Sequence, residues 1–389
     1  MSKKRIKILL CFFSVVVLWR CKDPYISPYK SPVTGYLVVE GYISGNTATQ
    51  FTLSHSIELP GDSTIPTEDG ATVQVEGNDN TVHPLVGQGN GVYSSIDTLA
   101  LSPQVQYRLR IGRSNGEQYL SNFVQYKPTP PFDSVSWVNT DGAVQIYANT
   151  HDPTNNTRYY QWEYYQTWEY NSSEQSLYMY VPGPPPQVIW RPDSLQIYTC
   201  YQNLNSTNLL LGNTTKLAQD VVYEAPLVSI PPNSVQISVL YTILVKQYAL
   251  TADGYNFLSI MQKNTESLGS IFDVQPSGTV SNIQCLTNPK EEVIGWISAG
   301  TVQSQRIWIT RAQVPSTYYY ECQKPDTILG QDSATITNDF GSSGIFTPIF
   351  FVAPPPPPGE ISGWDANYSG CVDCRLQGGT TTKPSFWIY

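Results

Sequence analysis

Within residues 158–170 the chain sets aromatic side chains at alternate positions: Tyr160, Trp162, Tyr164, Trp168 and Tyr170 share one parity. In an extended strand all five rings fall on one face. A stretch this long at period two reads as a strand whose ring-bearing face needs a cover. A sandwich core is the commonest fate of such a face; a partner surface and a stacking platform for sugars or flat ligands are the alternatives. Composition points the same way, because 27 Tyr, 9 Trp and 30 Pro stand against 3 Met and 3 His, a balance suited to sheets and turns and poor for helical bundles. With 40% hydrophobic and 14% charged residues the chain is globular. The fold class expected is mainly β.

Period-two text recurs on both sides of that run. Segments 36–43, 49–54, 71–77, 107–111 and 119–124 alternate or are β-branched, with turn residues between them. Together they predict an immunoglobulin-like β-sandwich over 33–127. Lys127-Pro128-Thr129-Pro130-Pro131 reads as the linker to a larger β-rich domain, 128–389. In that domain Ile237, Val239, Tyr241, Ile243 and Val245 alternate. One segment changes period: Tyr255, Phe257, Leu258, Ile260 and Met261 recur at helical spacing behind Thr251, an N-cap residue, which predicts one helix near 251–267. A proline run at 354–358 reads as a spacer.

The first 20 residues read as an export signal: Lys3, Lys4, Arg5 and Lys7 precede an apolar core, 8–19, too short to span a bilayer. Leu18-Trp19-Arg20-Cys21 resembles a bacterial lipobox, with Arg20 where a small residue is usual. Cys21 is the candidate lipid-attachment residue, and acyl chains such as palmitate, at about 0.8 kcal/mol per buried methylene, hold a domain at a membrane without a spanning helix. A plain secretory signal is the alternative reading. Residues 21–32, punctuated by prolines, form an extended tether, and Lys22-Asp23 resembles a short signal for the outer face of the outer membrane in Bacteroidota. Loss of the leader removes five basic residues and leaves 17 against 31 acidic ones, so nucleic acid is a poor partner and the membrane is reached through the anchor.

Cysteine usage fits an oxidising compartment. Cys200, Cys285, Cys322, Cys371 and Cys374 form at most two bridges, and sequence leaves their pairing open. Cys371-Val372-Asp373-Cys374 has the spacing of redox and zinc sites, but no second CxxC or nearby His completes a metal set, and no metal or cofactor is expected. His55, His83 and His151 lie far apart in sequence, no nucleophile or phosphate-binding motif is present, and Glu291-Glu292, adjacent on a strand, point to opposite faces. The chain is therefore not expected to be an enzyme.

Asp-(Ser/Thr)-apolar triplets at Ser63, Thr98, Ser134, Ser194, Thr327 and Ser333 resemble O-glycosylation acceptors of exported Bacteroidota proteins, although such pairs also serve as ordinary turns and caps. A wider resemblance rests on Cys371-Val372-Asp373-Cys374-Arg375-Leu376-Gln377-Gly378-Gly379-Thr380 and the closing Lys383-Pro384-Ser385-Phe386-Trp387. Leu37-Val38-Val39-Glu40-Gly41, Gln247-Tyr248-Ala249-Leu250, residues 269–276 and Glu292-Val293-Ile294-Gly295-Trp296 add to it in order. The chain resembles the domain-of-unknown-function 4249 family of Bacteroidota outer-membrane lipoproteins. Ser281-Asn282-Ile283 departs from the Gly-Asn-Ile expected there. The resemblance implies no catalytic residue; it implies company, because such lipoproteins accompany TonB-dependent outer-membrane transporters. The function expected is a surface-exposed, lipid-anchored accessory partner of a TonB-dependent barrel in nutrient capture or uptake; the alternative is a structural or envelope-assembly lipoprotein without a small-molecule ligand.

Overall fold

The computed structural model describes residues 35–57, 64–266, 281–314, 322–330, 332–341, 344–352 and 362–388. The leader, Cys21, the tether, Ser63, residues 269–276 and the proline run lie outside the described residues. The first body is built from β1 (Leu37–Ser44), β2 (Gln50–His55), β3 (Thr72–Gly77), β4 (Val82–Gly89), β5 (Val92–Ser94), β6 (Gln106–Gly112), β7 (Gln118–Ser121) and β8 (Val124–Lys127). Period-two patterning sets their faces: along β6, Tyr107, Leu109 and Ile111 are buried and their neighbours are not.

The second body opens with β9 (Phe132–Thr140) and β10 (Ala143–Asp152), a hairpin turned at Asp141-Gly142, where both residues have positive φ as a two-residue turn requires. Then follow β11 (Tyr159–Asn171), the small hairpin β12 (Tyr178–Val181) and β13 (Gln187–Trp190), and β14 (Thr199–Asn205), β15 (Leu210–Asn213), β16 (Asp220–Ile230) and β17 (Leu240–Ala249). One sheet runs β16-β10-β9. A second has β11 at its centre, flanked by β17 on one side and β14 and β15 on the other. Their facing sides enclose one core that includes Ile146, Tyr160, Trp162, Tyr241 and Ile243. Helix α1 (Ala252–Glu266) starts where the N-cap was predicted, with the Thr251 hydroxyl accepting from the Gly254 amide at 3.1 Å.

After α1 the chain returns to the first body. β18 (Ile283–Cys285) pairs antiparallel with β7, β19 (Val293–Gly295) parallel with β1, and β20 (Ala299–Gly300) lies between β1 and β8, parallel to both. Because β8 also pairs with β6, the circuit β6-β3-β4-β5-β2-β1-β20-β8 closes into a barrel-like sheet. The division at residue 127 therefore needs correction: Ile283, Cys285, Val293, Ile297 and Ala299 sit in the core of the N-terminal body, not in that of the second. Ser281 holds this return in place, its hydroxyl donating to the Gly295 carbonyl at 2.6 Å and accepting from the Ile283 amide at 3.1 Å.

β21 (Val302–Thr310) completes the second sheet beside β17. The last part of the chain adds β22 (Asp326–Leu329), α2 (Ser333–Phe340), β23 (Phe346–Val352) and β24 (Gly363–Tyr368), a small sheet packed through Trp364 and Ile336 against Tyr178 and Tyr180 of the β12–β13 hairpin. The one-turn α3 (Ser369–Val372) and a 3-10 turn over Cys374–Gln377 follow. Cys200 bonds to Cys374 and Cys322 to Cys371, so the two CxxC thiols take separate distant partners. Cys285, a disulfide candidate on sequence, is instead a buried free thiol near the Thr287 hydroxyl, because it faces the barrel core where no second cysteine lies.

Candidate functional site

The aromatic row of β11 lies in the core, the commonest fate of such a face, and not on the partner surface or stacking platform that were its alternatives. Tyr160, Trp162, Trp168 and Tyr170 are buried and Tyr164 is half-buried, because the β16-β10-β9 sheet covers this side. Three of their polar tips find partners inside: the Tyr160 hydroxyl donates to Asp220 at 2.6 Å, the Trp162 indole to Gln247 at 2.8 Å, and the Tyr170 hydroxyl to the Cys374 carbonyl at 2.8 Å. The opposite parity of the same strand carries Gln161, Glu163 and Tyr165, and these face a cleft of about 1000 Å³. That size is at the upper end of small-molecule sites.

Three walls form the cleft. Its floor is the outer face of the second sheet, where strand register places Gln161 opposite Tyr248 and Glu163 opposite Lys246. Its second wall is the outer face of β1 and β2, with Val38, Glu40, Tyr42, Gln50 and Thr52. The third is apolar: Phe257, Leu258 and Met261 of α1, with Trp296 packed on Phe257 at a ring separation of 5.5 Å. Asn205, Ser206, Thr207 and Asn208 close one end with amides and hydroxyls.

The walls are held in register by the linker, which is no free hinge. Buried Thr129 accepts from the Ala249 amide at 2.9 Å and its own amide donates to Thr301 at 2.7 Å. Gln247 donates to the Pro130 carbonyl at 2.9 Å, and Asn46 exchanges two 2.8 Å bonds with the Val302 backbone. Hydrogen bonds of this kind, buried at the linker and partly buried at Asn46, fix the relative placement of the two bodies.

On the floor, Glu163 accepts from the Tyr248 hydroxyl at 2.9 Å and the Tyr165 hydroxyl at 3.4 Å. Burial, and then the Glu163 charge, push both tyrosines up, so they remain neutral donors. The Lys246 ammonium lies 4.8 Å from the centre of the Tyr165 ring. Among the described residues no carboxylate oxygen comes within ion-pair distance of it. The run containing Lys246 and Tyr248 reads as a strand in sequence, and its apolar parity marks the covered face while leaving the cleft face unmarked.

A second polar cluster lies on the first body. His55 bonds Glu68 at 2.8 Å, Arg113 reaches Glu68 at 2.7 Å and also Glu117, and the buried Tyr119 hydroxyl contacts Glu117 at 3.1 Å and Glu291 at 2.5 Å. Burial and then Glu291 push the Tyr119 hydroxyl up. Glu292 is exposed on the other side, so the adjacent carboxylates do not meet. His151 pairs with Asp133 on the surface, far in the fold from His55. No group of three or more metal-ligating side chains assembles among the described residues.

Of the glycosylation candidates, Thr98, Ser194, Thr327 and Ser333 are exposed, and Ser134 is half-buried and accepts from Asn149 at 3.2 Å. Asp332 before Ser333 caps α2 through the Ala334 and Thr335 amides, the ordinary role of such a pair. No described helix is long and apolar enough to cross a membrane.

Compared with known families, residues 22–306 match the one described as Domain of unknown function (DUF4249). The closing segment from Cys371 lies beyond the matched range. No curated protein matches the chain. Segments that carry the resemblance meet in space. Leu37, Val38 and Val39 pair with Val293, Ile294 and Gly295. Val38, Glu40, Tyr248, Leu250, Ile294 and Trp296, drawn from three separate motifs, line the cleft.

Proposed function

The chain belongs to the domain-of-unknown-function 4249 family, and from that footing we propose that it is a lipid-anchored outer-membrane lipoprotein that assists a TonB-dependent transporter without catalysis, holding cargo in the cleft between its two β bodies. The observation that carries the reading is the convergence of three family motifs on that one cleft. Its walls offer aromatic rings, amides, two carboxylates and an ammonium, which suit recognition of a ligand. The leader and Cys21 supply the anchoring part of the proposal.

The test is recovery of the native lipoprotein from detergent-solubilised outer membrane by affinity capture, with a Cys21→Ala control, read by mass spectrometry. Stoichiometric recovery of a TonB-dependent barrel with the wild type, and its loss when the anchor is removed, is the expected result. Recovery without any barrel overturns the transporter partnership and leaves a free-standing structural or binding lipoprotein.

A further inference from the structure

We propose that the cleft takes a hydroxyl-rich ligand bearing one carboxylate per recognised unit, a uronate-type oligosaccharide, with the carboxylate on Lys246; this rests on the capture reading and names its ligand class. The argument starts from Lys246. It is half-buried, it stands directly across the strands from Glu163, and yet it forms no ion pair with it. Glu163 is drawn instead to the hydroxyls of Tyr248 and Tyr165. The ammonium has the Tyr165 ring beneath it and no carboxylate acceptor among the described residues. A partly desolvated cation of this kind gains most from an ionised acceptor, because charge-assisted hydrogen bonds are about twice as strong as neutral ones.

The surroundings limit what else the ligand is. Glu40 and Glu163 are also in the cleft, so a densely charged anion such as a polyphosphate meets like charge on two sides. Asn205, Asn208, Gln50 and Gln161 offer paired donors and acceptors, which suit vicinal hydroxyls. Trp296, backed by the buried Phe257, gives an apolar wall against which the C–H face of a pyranose ring can rest. A purely apolar carboxylate leaves the amides and hydroxyls of the rim unpaired, which costs binding energy. The combination, among the described lining residues, of one cation outside any ion pair, a carboxylate engaged by tyrosine hydroxyls, amides and a ring wall belongs to acidic sugars.

The test is titration calorimetry on the full-length lipoprotein in detergent with trimers of galacturonate, mannuronate and guluronate, with methyl-esterified trigalacturonate as the neutral twin and octanoate as the charged, hydroxyl-free probe. At least one triuronate is expected to bind, with trigalacturonate, if it is that one, about tenfold or more tighter than its ester. Lys246→Gln should remove most of that affinity, and Lys246→Arg should keep it. Binding of none of the three trimers, equal binding of acid and ester, or octanoate binding as tightly as the best trimer overturns the assignment. The capture of a barrel is read separately: a barrel recovered while no triuronate binds sinks the ligand class alone, and triuronate binding without a barrel sinks the transporter partnership alone.

Discussion

Replacing Cys200 and Cys374 together with alanine opens a covalent loop whose ends are 174 residues apart. Chain entropy makes closure of a loop that long worth about 17 cal/mol/K, or about 5 kcal/mol at 25 °C. Both sulfurs are fully buried, and Tyr170 reaches the Cys374 carbonyl beside them, so the fold around the bridge is dense. Removing Cys322–Cys371, whose ends are 49 residues apart, is worth about 4 kcal/mol by the same relation. Observed losses run from about 2 to 5 kcal/mol, so the ordering carries more information than either absolute value. Urea unfolding followed by tryptophan fluorescence and far-ultraviolet circular dichroism reads both double variants against wild type. The Cys200–Cys374 pair should cost more, by about 1 kcal/mol. Unchanged midpoints, or a larger loss from the shorter loop, would refute loop entropy as the source of stabilisation.

Burial pushes the Glu76 carboxyl up, but hydrogen bonds from Arg110 at 2.5 Å and Arg108 at 2.7 Å outweigh it and hold it down to about 2, against an ordinary 4.5. The folded value lies below the unfolded one, so this stabilisation is present above pH 4.5 and disappears as pH falls towards about 2. Allowing for the partly exposed arginines it amounts to about 2 kcal/mol, and the stability gap between wild type and Glu76→Gln should close across that window; a gap independent of pH would contradict it. Gly295→Ala should destabilise by more than about 2 kcal/mol, because its φ is +144° and an added Cβ would stand 2.2 Å from the Val39 carbonyl oxygen; thermal unfolding indistinguishable from wild type would refute the close approach. Trp162→Ala should cost about 3–5 kcal/mol as a core cavity, and Tyr165→Ala less than half of that, since the two rings lie on opposite faces of β11; equal losses in denaturant would mean that the cleft face is core as well.

What the sequence by itself determined was local. Alternation at period two specified β1, β2, β3, β6 and β7 of the first body and β11 and β17 of the second, and Thr251 with helical spacing located the start of α1 to within a residue. These properties depend on backbone geometry and on neighbours two to four positions away, so they are written in short stretches of chain. Periodicity also sorted β11 into two faces. It could not say which would be covered, because that depends on the β16-β10-β9 sheet laid over one of them.

The tertiary structure decided the rest. It returned 283–300 to a body that the linker prolines had seemed to close off at 127, and it selected one disulfide pattern while leaving Cys285 reduced in the barrel core. It also brought Glu40, Glu163, Lys246 and Trp296, from four separate strands and turns, around one cleft. Contacts between residues more than a hundred positions apart leave no mark on local pattern. They are chosen when whole sheets pack, by which apolar faces find cover and which polar groups find partners, and the cleft exists because two covered bodies meet with their uncovered faces towards each other.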